Sequence, residues 1–307
     1  MTVTNATPLT ATTTSQPAPT NLDEIPGWFS WIDQQLFTWF LHRQERAETP
    51  GDLLELGAYL GKSAVLMGDH VRDDESFTVC DLFDSDPPDT ANQTEMRRSY
   101  RTLTRDGFER NYLAFHDDLP TIVQAPTSEI LDHVAARSCR FVHIDASHLY
   151  EHVDGDIEAA HDLLRPDGTL VCDDYREHHT PGVAAAVWHK VVEGALRPIC
   201  GTPKKLYATW DDPRPIQDDL IDWLRSHDED CWHQVQSVAG HRLVLVNRQR
   251  QKQDNEVKRL QRELDREQRA RRTKQQELEA VRGSVSFRVG RAVTAPLRLL
   301  AARRRSS

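Results

Sequence analysis

The stretch FVHIDASHLYEHVDGDIEAAHDLLRPDGTLVCDDY, residues 141–175, indicates how the chain folds. Two short apolar runs, Arg140–Asp145 and Thr169–Cys172, predict buried strands. The segment between them, about residues 150–164, predicts a helix that ends at the turn RPDG. A strand, a helix and a second strand in this order are typical of a parallel sheet covered by helices.

The same alternation continues on both sides of this stretch. Further strands are predicted at Leu53–Leu56, Phe77–Asp81, Leu206–Trp210 and His241–Val246, the last in a hairpin about Ala239–Gly240. Further helices are predicted at Gly27–Arg46, Ser63–His70, residues 127–136 with Thr127 or Ser128 as the cap, and from about Pro181. The chain therefore predicts an α/β, Rossmann-like fold with a mostly parallel sheet and helices on both faces.

Charge is distributed unevenly along the 307 residues. Residues 248–307 hold 18 Lys/Arg and 7 Asp/Glu, a net charge of +11, which leaves −21 on residues 1–247. So acidic a body is a poor binder of a nucleic acid backbone, and we expect no nucleic acid partner. The sequence has no run of about 18 apolar residues and no secretory signal, and its five cysteines form no CxxC pair. A cytoplasmic protein is expected.

Composition predicts four parts. Residues 1–24 are rich in Thr and Pro and are expected to form a disordered arm, and residues 25–247 form the α/β domain. Residues 248–282 predict a charged helix that is either solvated or a weak, dimer-forming coiled coil. Residues 283–307 form a basic amphipathic tail that either lies at a membrane interface or stays disordered, and Pro296 weakens the membrane interpretation.

The first strand and helix enclose a glycine turn, LLELGAYLGKSA, residues 53–64. Gly57 and Gly61 bracket the turn, which matches neither the dinucleotide fingerprint nor the phosphate-binding loop. The acid at Glu55 disfavours a pyrophosphate and suits a positively charged ligand such as S-adenosylmethionine. Asp81, at the end of the second strand, is placed to accept hydrogen bonds from ribose hydroxyls. Alone, a glycine turn is often only a turn and an Asp after a strand is often a helix cap, but the two features together, in this order, favour a cofactor site.

Acidic residues follow two predicted neighbouring strands. Asp145 ends one strand, and Asp173 and Asp174 end the next, so the three carboxylates are expected at one sheet edge. Because unpaired anions repel at such distances, a hard divalent cation, Mg²⁺, Mn²⁺ or Ca²⁺, is predicted there. His148 is the candidate general base for a metal-bound hydroxyl, with His152 as a weaker alternative. The alternative is that Asp145 caps the next helix and the other acids are solvated.

These residues resemble those of class I S-adenosylmethionine-dependent methyltransferases, and specifically the metal-dependent sugar O-methyltransferases of the macrocin O-methyltransferase type. The similarity covers about residues 25–210, from IPGWF through ELGAYLGKSA, TVCDLFD and residues 141–175 to GVAAAVWHKV. It implies catalysis by His148 and Asp145 with Mg²⁺ or Mn²⁺ on Asp145, Asp173 and Asp174. It also implies cofactor contacts at Glu55, Gly57, Ala58, Tyr59, Gly61, Ser63 and Asp81, with Thr127 or Ser128 near the adenine.

The tail adds a second, shorter resemblance. SVSFRVGRAVTAPLR, within residues 284–298, is similar to an ending found on bacterial surface-glycan enzymes. It implies a cell-surface glycan, a glycolipid or another glycosylated metabolite as acceptor. Peripheral membrane contact through residues 283–307 and a homo-oligomer are predicted separately, from the basic amphipathic tail and from the coiled-coil pattern. Two other interpretations stay open: a catechol or phenolic O-methyltransferase, and a non-catalytic assembly subunit that docks on a membrane.

Overall fold

The structure, a computed structural model, describes residues 17–85, 103–283 and 289. The chain divides into two units, Met1–Arg248 and Gln249–Ser307, and each is described by itself. Most of the basic tail and residues 1–16 of the expected disordered arm lie outside the described residues. The last residues of that arm are ordered at a short 3₁₀ helix, Leu22–Glu24, because Asn21 caps its first turn and Leu22 packs against the core.

The elements of the first unit alternate as the sequence predicts. The helices are α1 (Trp31–Arg46), α2 (Lys62–Gly68), α3 (Arg105–Tyr112), α4 (Tyr150–Leu163), α5 (Pro181–Val192) and α6 (Arg214–Ser226). The strands are β1 (Asp52–Leu56), β2 (Phe77–Cys80), β3 (Thr121–Val123), β4 (Cys139–Ile144), β5 (Leu164–Cys172), β6 (Arg197–Gly201), β7 (Leu206–Thr209), β8 (Cys231–Val238) and β9 (His241–Arg248). Every predicted strand and the predicted hairpin at Ala239–Gly240 are confirmed.

The strands form one sheet in the order β3-β2-β1-β4-β5-β7-β6-β9-β8. The five strands from β3 to β5 run parallel, and β7 joins β5 and β6 antiparallel. Successive buried residues of β1 face opposite layers: Leu53 packs in one apolar cluster and Leu54 in the other. The predicted α/β fold with a mostly parallel sheet is confirmed, and the carboxyl ends of β1, β2, β4 and β5 share one edge.

Helix α1 covers one face of this sheet. It begins at Trp31, later than the predicted Gly27, because the Ser30 side chain accepts a hydrogen bond from the Asp33 N–H and caps the first turn. Phe37 and Phe40 are buried in the core beneath the helix. Residues 27–29 therefore precede the helix, and they line a cavity together with Asp145 and Asp173, which follow β4 and β5.

Two local predictions are wrong. The helix predicted at residues 127–136 is a 3₁₀ helix, Thr127–Asp132, with Pro126 and not Thr127 or Ser128 at its N-cap. Only Ile130 of this segment is buried, so no apolar stripe supports further turns. The predicted turn RPDG instead belongs to β5, which begins at Leu164 and pairs with Cys139 before a bulge.

The second unit contains α7 (Gln249–Gly283). Its described side chains between residues 259 and 276 are exposed, including those of Leu260 and Leu264, the apolar residues that a coiled coil would bury there. An exposed seam is compatible with a solvated helix and with a helix awaiting a second chain, so the coiled coil stays a prediction. Among the described residues, none of the helices has the length and apolar character needed to cross a membrane.

Candidate active site

The glycine turn between β1 and α2 is shaped by two close approaches. Gly57 has a φ of 82°, and a Cβ there would lie 2.2 Å from the carbonyl oxygen of Asp145. Gly61 has a φ of 89° at the N-cap of α2 and faces the Phe108 ring. Glycine is required at both positions because a side chain would meet backbone or an aromatic ring in a left-handed conformation. The turn therefore sits directly against the loop that carries Asp145.

Asp81 holds this turn from the neighbouring strand. Its Oδ2 accepts hydrogen bonds from the N–H groups of Ala58 (2.7 Å) and Tyr59 (3.0 Å), and Oδ1 accepts one from Phe83 (2.7 Å). Burial raises the pKa of Asp81, and these three donors oppose that shift. The carboxylate keeps unused lone pairs and lines a cavity, so the predicted ribose contact stays a prediction beside this structural role.

A cavity of about 430 Å³ opens at the ends of β1, β2 and β4. It has the size of a small-molecule site, and we call it the larger cavity. Residues predicted to contact the cofactor line it: Gly57, Tyr59, Asp81, Thr127 and Ser128. Its wall also includes the buried Asp156, which sequence reasoning missed because the residue lies inside α4 without a recognisable motif. Burial raises the pKa of Asp156 to about 6.

Glu55 lies beneath the turn and lines neither this cavity nor the next. It is fully buried and its Oε1 pairs with His143 Nδ1 at 2.7 Å. Burial raises the pKa of Glu55 to about 7, and the Ser63 hydroxyl opposes that shift. Among the described residues, Oε2 of Glu55 has no hydrogen-bond partner of good geometry. A buried orphan acceptor beside the turn fits a cationic cofactor such as S-adenosylmethionine.

The three predicted acids meet in a second cavity of about 240 Å³, here called the smaller cavity. Asp145 and Asp173 extend β4 and β5, since their N–H groups bond to the carbonyl oxygens of Leu56 and Ile144. Burial, with repulsion from Asp173, raises the pKa of Asp145 well above its ordinary value. The topology thus brings Asp145, Asp173 and Asp174 to one edge, as the sequence predicts.

His148 lies in the same cavity, in the loop between β4 and α4. Its Nε2 is 3.1 Å from Oδ2 of Asp174, so a carboxylate orients the imidazole. His152 instead lines the larger cavity, where Nδ1 is 2.9 Å from the Ser147 hydroxyl. The structure therefore separates the two candidate bases, and only His148 faces the acids.

Lys205, at the junction of β6 and β7, is a site residue that sequence reasoning missed. Its ammonium pairs with Asp173, lies 3.0 Å from His143 Nε2 and lies 4.0 Å from Oδ2 of Asp145. Although burial raises the pKa of Asp173, the Lys205 charge lowers it below its ordinary value. The only sequence signal is the pair Lys204–Lys205 before a strand, and no local pattern connects it to the acids.

The donor set still fits a divalent cation. Three carboxylates line the smaller cavity together with the ammonium groups of Lys62, Lys204 and Lys205, so the cavity offers oxygen ligands beside fixed positive charges. Carboxylate oxygens are the ligands that Mg²⁺ and Mn²⁺ prefer. The larger and smaller cavities share Gly57, Tyr59 and Asp145 in their walls, so a ligand in one lies beside a ligand in the other.

Comparison with known proteins agrees with this arrangement of the domain. Residues 54–175 match a family described as a methyltransferase domain, and this range runs from β1 through the glycine turn to the acids after β5. No curated protein matches the sequence.

Solved structures of similar proteins are remote from this chain. The O-methyltransferase NovP is 18% identical with a TM-score of 0.49, over 61% of this chain and 84% of that chain. CalS11, a TDP-rhamnose 3′-O-methyltransferase of calicheamicin biosynthesis, is 18% identical with a TM-score of 0.40, over 65% and 90%. MycE of the mycinamycin pathway, in complex with Mg, SAH and mycinamycin VI, is 16% identical with a TM-score of 0.40, over 61% and 51%.

Proposed function

We propose that this S-adenosylmethionine-dependent methyltransferase, whose methyltransferase domain lies at residues 54–175, transfers the methyl group to a sugar hydroxyl with the help of a divalent cation. One observation carries the proposal. His148, Asp145, Asp173 and Asp174 surround one cavity that adjoins the larger cavity at the glycine turn. An acceptor and a methyl donor held in these two cavities would lie next to each other.

The chain's own residues divide the work of the transfer. When bound, S-adenosylmethionine supplies an electrophilic methyl group, and a divalent ion on Asp145, Asp173 and Asp174 lowers the pKa of the acceptor hydroxyl. His148 takes the hydroxyl proton at Nδ1, because its Nε2 donates to Asp174, whose carboxylate stabilises the imidazolium that results. The turn Gly57–Gly61 and Ser63 bind and orient the cofactor, with Thr127 or Ser128 at its adenine, and Glu55 acts from beneath the turn without lining either cavity.

Aromatic residues at the smaller cavity support a sugar acceptor. Trp28 is 61% exposed and stacks on Tyr59, with ring centroids 5.6 Å apart. Both residues line the smaller cavity beside the acids. An aromatic face next to hydroxyl-binding acids suits a ring that has one apolar face and several hydroxyls. The resemblance to macrocin-type enzymes favours the same class of acceptor over a catechol.

The basic tail bears on where in the cell the acceptor is methylated. Residues 283–307 combine six Arg with apolar residues, which suits contact with an anionic membrane surface. A glycan or glycolipid acceptor made at the inner face of the membrane is therefore part of the proposal, and a homo-oligomer through residues 248–282 is another part. Flotation of the full chain and of residues 1–247 with anionic liposomes tests the membrane contact, which only the full chain is expected to make.

A methyl-transfer assay tests the proposed reaction. The full chain is incubated with S-adenosylmethionine, Mg²⁺ and a panel of glycosides and catechols, and S-adenosylhomocysteine is measured. We expect product with glycosides, and loss of product when EDTA removes the metal. Methylation of catechols alone would contradict the sugar acceptor, and full activity in EDTA would contradict the metal.

A further inference from the structure

Lys205 is the least exposed of the three lysines that line the smaller cavity. The residue is 1% exposed, and its ammonium lies 5.6 Å from the ring centre of Phe29 and 5.9 Å from that of Phe37. An ammonium removed from water in this way is costly unless carboxylates surround it. Asp173 meets this need by direct contact, and the buried Asp33 adds a further negative charge.

The ammonium lies at the centre of a group that otherwise has metal-binding geometry. The donor atoms of His143, Asp145 and Asp173 lie within 4.8 Å of one another, and Lys205 is close to all three. The Lys205 ammonium can only donate a hydrogen bond, so the His143 nitrogen beside it is an acceptor and the ring is neutral. Its Nε2 accepts a hydrogen bond from Lys205 while Nδ1 donates one to Glu55.

A buried chain of polar contacts results. It runs from Asp173 at the smaller cavity through Lys205 and His143 to Glu55 beneath the glycine turn. Asp173 has little freedom, because its Oδ1 also accepts a hydrogen bond from the Asp174 N–H at 2.7 Å. Both oxygens of Asp173 are therefore oriented before any ligand arrives.

We propose that Lys205 is a positioning residue and that its ammonium is a permanent positive charge in the smaller cavity. It holds Asp173 in its reactive orientation and, as the least exposed of the three lysines that line the smaller cavity, sets a positive charge directly against one of the metal-binding carboxylates. The inference rests on the proposed function, since it concerns the same metal-binding acids. Its consequence is specific: the lysine weakens the attraction of the cavity for the metal while it maintains the geometry that the transfer needs.

Removing the charge should therefore separate metal affinity from turnover. In K205M and in K205Q, which keeps hydrogen-bonding capacity, we expect Mn²⁺ to bind at least 10-fold more tightly than in the wild type. At saturating Mn²⁺ we expect methyl transfer to fall at least 10-fold, because Asp173 loses its partner. In K205R, which keeps the charge, Mn²⁺ affinity should stay within about 3-fold of wild type.

Electron paramagnetic resonance of free Mn²⁺ measures the affinity of the full chain, and circular dichroism checks that each variant is folded. K190M is the matched control, because Lys190 pairs with Asp154 and Glu158 away from the acids. It should leave Mn²⁺ affinity unchanged. K205Q keeps the test available if K205M does not fold.

The outcomes separate the two proposals. Unchanged or weaker Mn²⁺ binding in a folded neutral variant would overturn the role of Lys205 and leave the proposed function standing. Tighter Mn²⁺ binding with undiminished turnover would also overturn it, since Asp173 would then need no positioning. Failure of the wild type to bind Mn²⁺ would overturn the metal in the proposed function together with this inference.

Discussion

Asp81 and Asp173 end strands of the same sheet edge, yet the protein stabilises their buried carboxylates by different means. Asp81 accepts three backbone N–H groups, two of them from the glycine turn. Asp173 pairs with the side-chain ammonium of Lys205, which lies in the connection between β6 and β7. The proposed cofactor side of the site, at the glycine turn, is thus held by backbone groups, and the proposed acceptor side, at the smaller cavity, by side chains.

This difference has consequences for substitution. A backbone-built turn depends on φ angles and on the absence of side chains, so steric changes should damage it most. A cluster built from side chains depends on charge and proton transfer, so changes of functional group should damage it most. The variants below test this contrast between the glycine turn and the acidic cluster. K205M, described above, tests the effect of a changed functional group in the acidic cluster.

H148A should have the largest effect, and only on the acceptor side. Loss of a general base slows proton transfer, so turnover should fall by about 10²- to 10⁴-fold. Affinity for S-adenosylhomocysteine, measured by isothermal titration, should not change. H178A is the control, because His178 is 93% exposed and does not line the smaller cavity. Retained turnover in H148A would remove His148 from the mechanism.

G57A should be the most damaging change on the cofactor side. A Cβ at Gly57 meets the Asp145 carbonyl in a left-handed conformation, so the free energy of unfolding should fall by about 2–5 kcal/mol. G194A isolates the conformational part, since Gly194 has a φ of 79° with nothing within 4 Å of an added Cβ. G194A should lower the free energy of unfolding by about 1–2 kcal/mol. Equal losses in the two urea unfolding curves would contradict the close approach.

E55Q should change how stability depends on pH. Folding raises the pKa of Glu55 from 4.5 to about 7, so the folded state binds the extra proton between these values. The free energy of unfolding of the wild type should therefore fall as pH rises from 4.5 to 7, by up to about 3 kcal/mol from this group. E55Q removes the titration and should lose less stability over this range. Parallel curves for the two proteins at pH 5–8 would contradict this.

D81N should have the smallest effect of the series. In D81N an NH2 group replaces one carboxylate oxygen and cannot accept a hydrogen bond from a backbone N–H. This loss should lower the free energy of unfolding by about 1–3 kcal/mol. D84N is the control, because Asp84 is exposed. A separate titration with S-adenosylhomocysteine tests the predicted ribose contact. Unaltered stability in D81N would show that the turn does not depend on the carboxylate.

Local patterns along the chain were enough for much of this site. Alternating apolar runs predicted the strands, and acids at strand ends predicted that Asp145, Asp173 and Asp174 would meet, because parallel strands end at one edge. Gly57 and Gly61 marked the turn for the same reason, since their conformational role is local. The 3₁₀ helix at Thr127–Asp132 was missed because the number of turns depends on what the segment can pack against.

The position of Lys205 beside Asp173 and the hydrogen-bond partners of Asp81 depend on the tertiary structure. β7 lies beside β5 only because the chain inserts it antiparallel between β5 and β6, and that insertion brings the lysine to Asp173. A strand order of this kind is not encoded in any short window of residues. The chain's local chemistry thus determined which groups could react, whereas packing across the sheet decided which charges they face, because electrostatic partners are set by distance in space and not along the sequence.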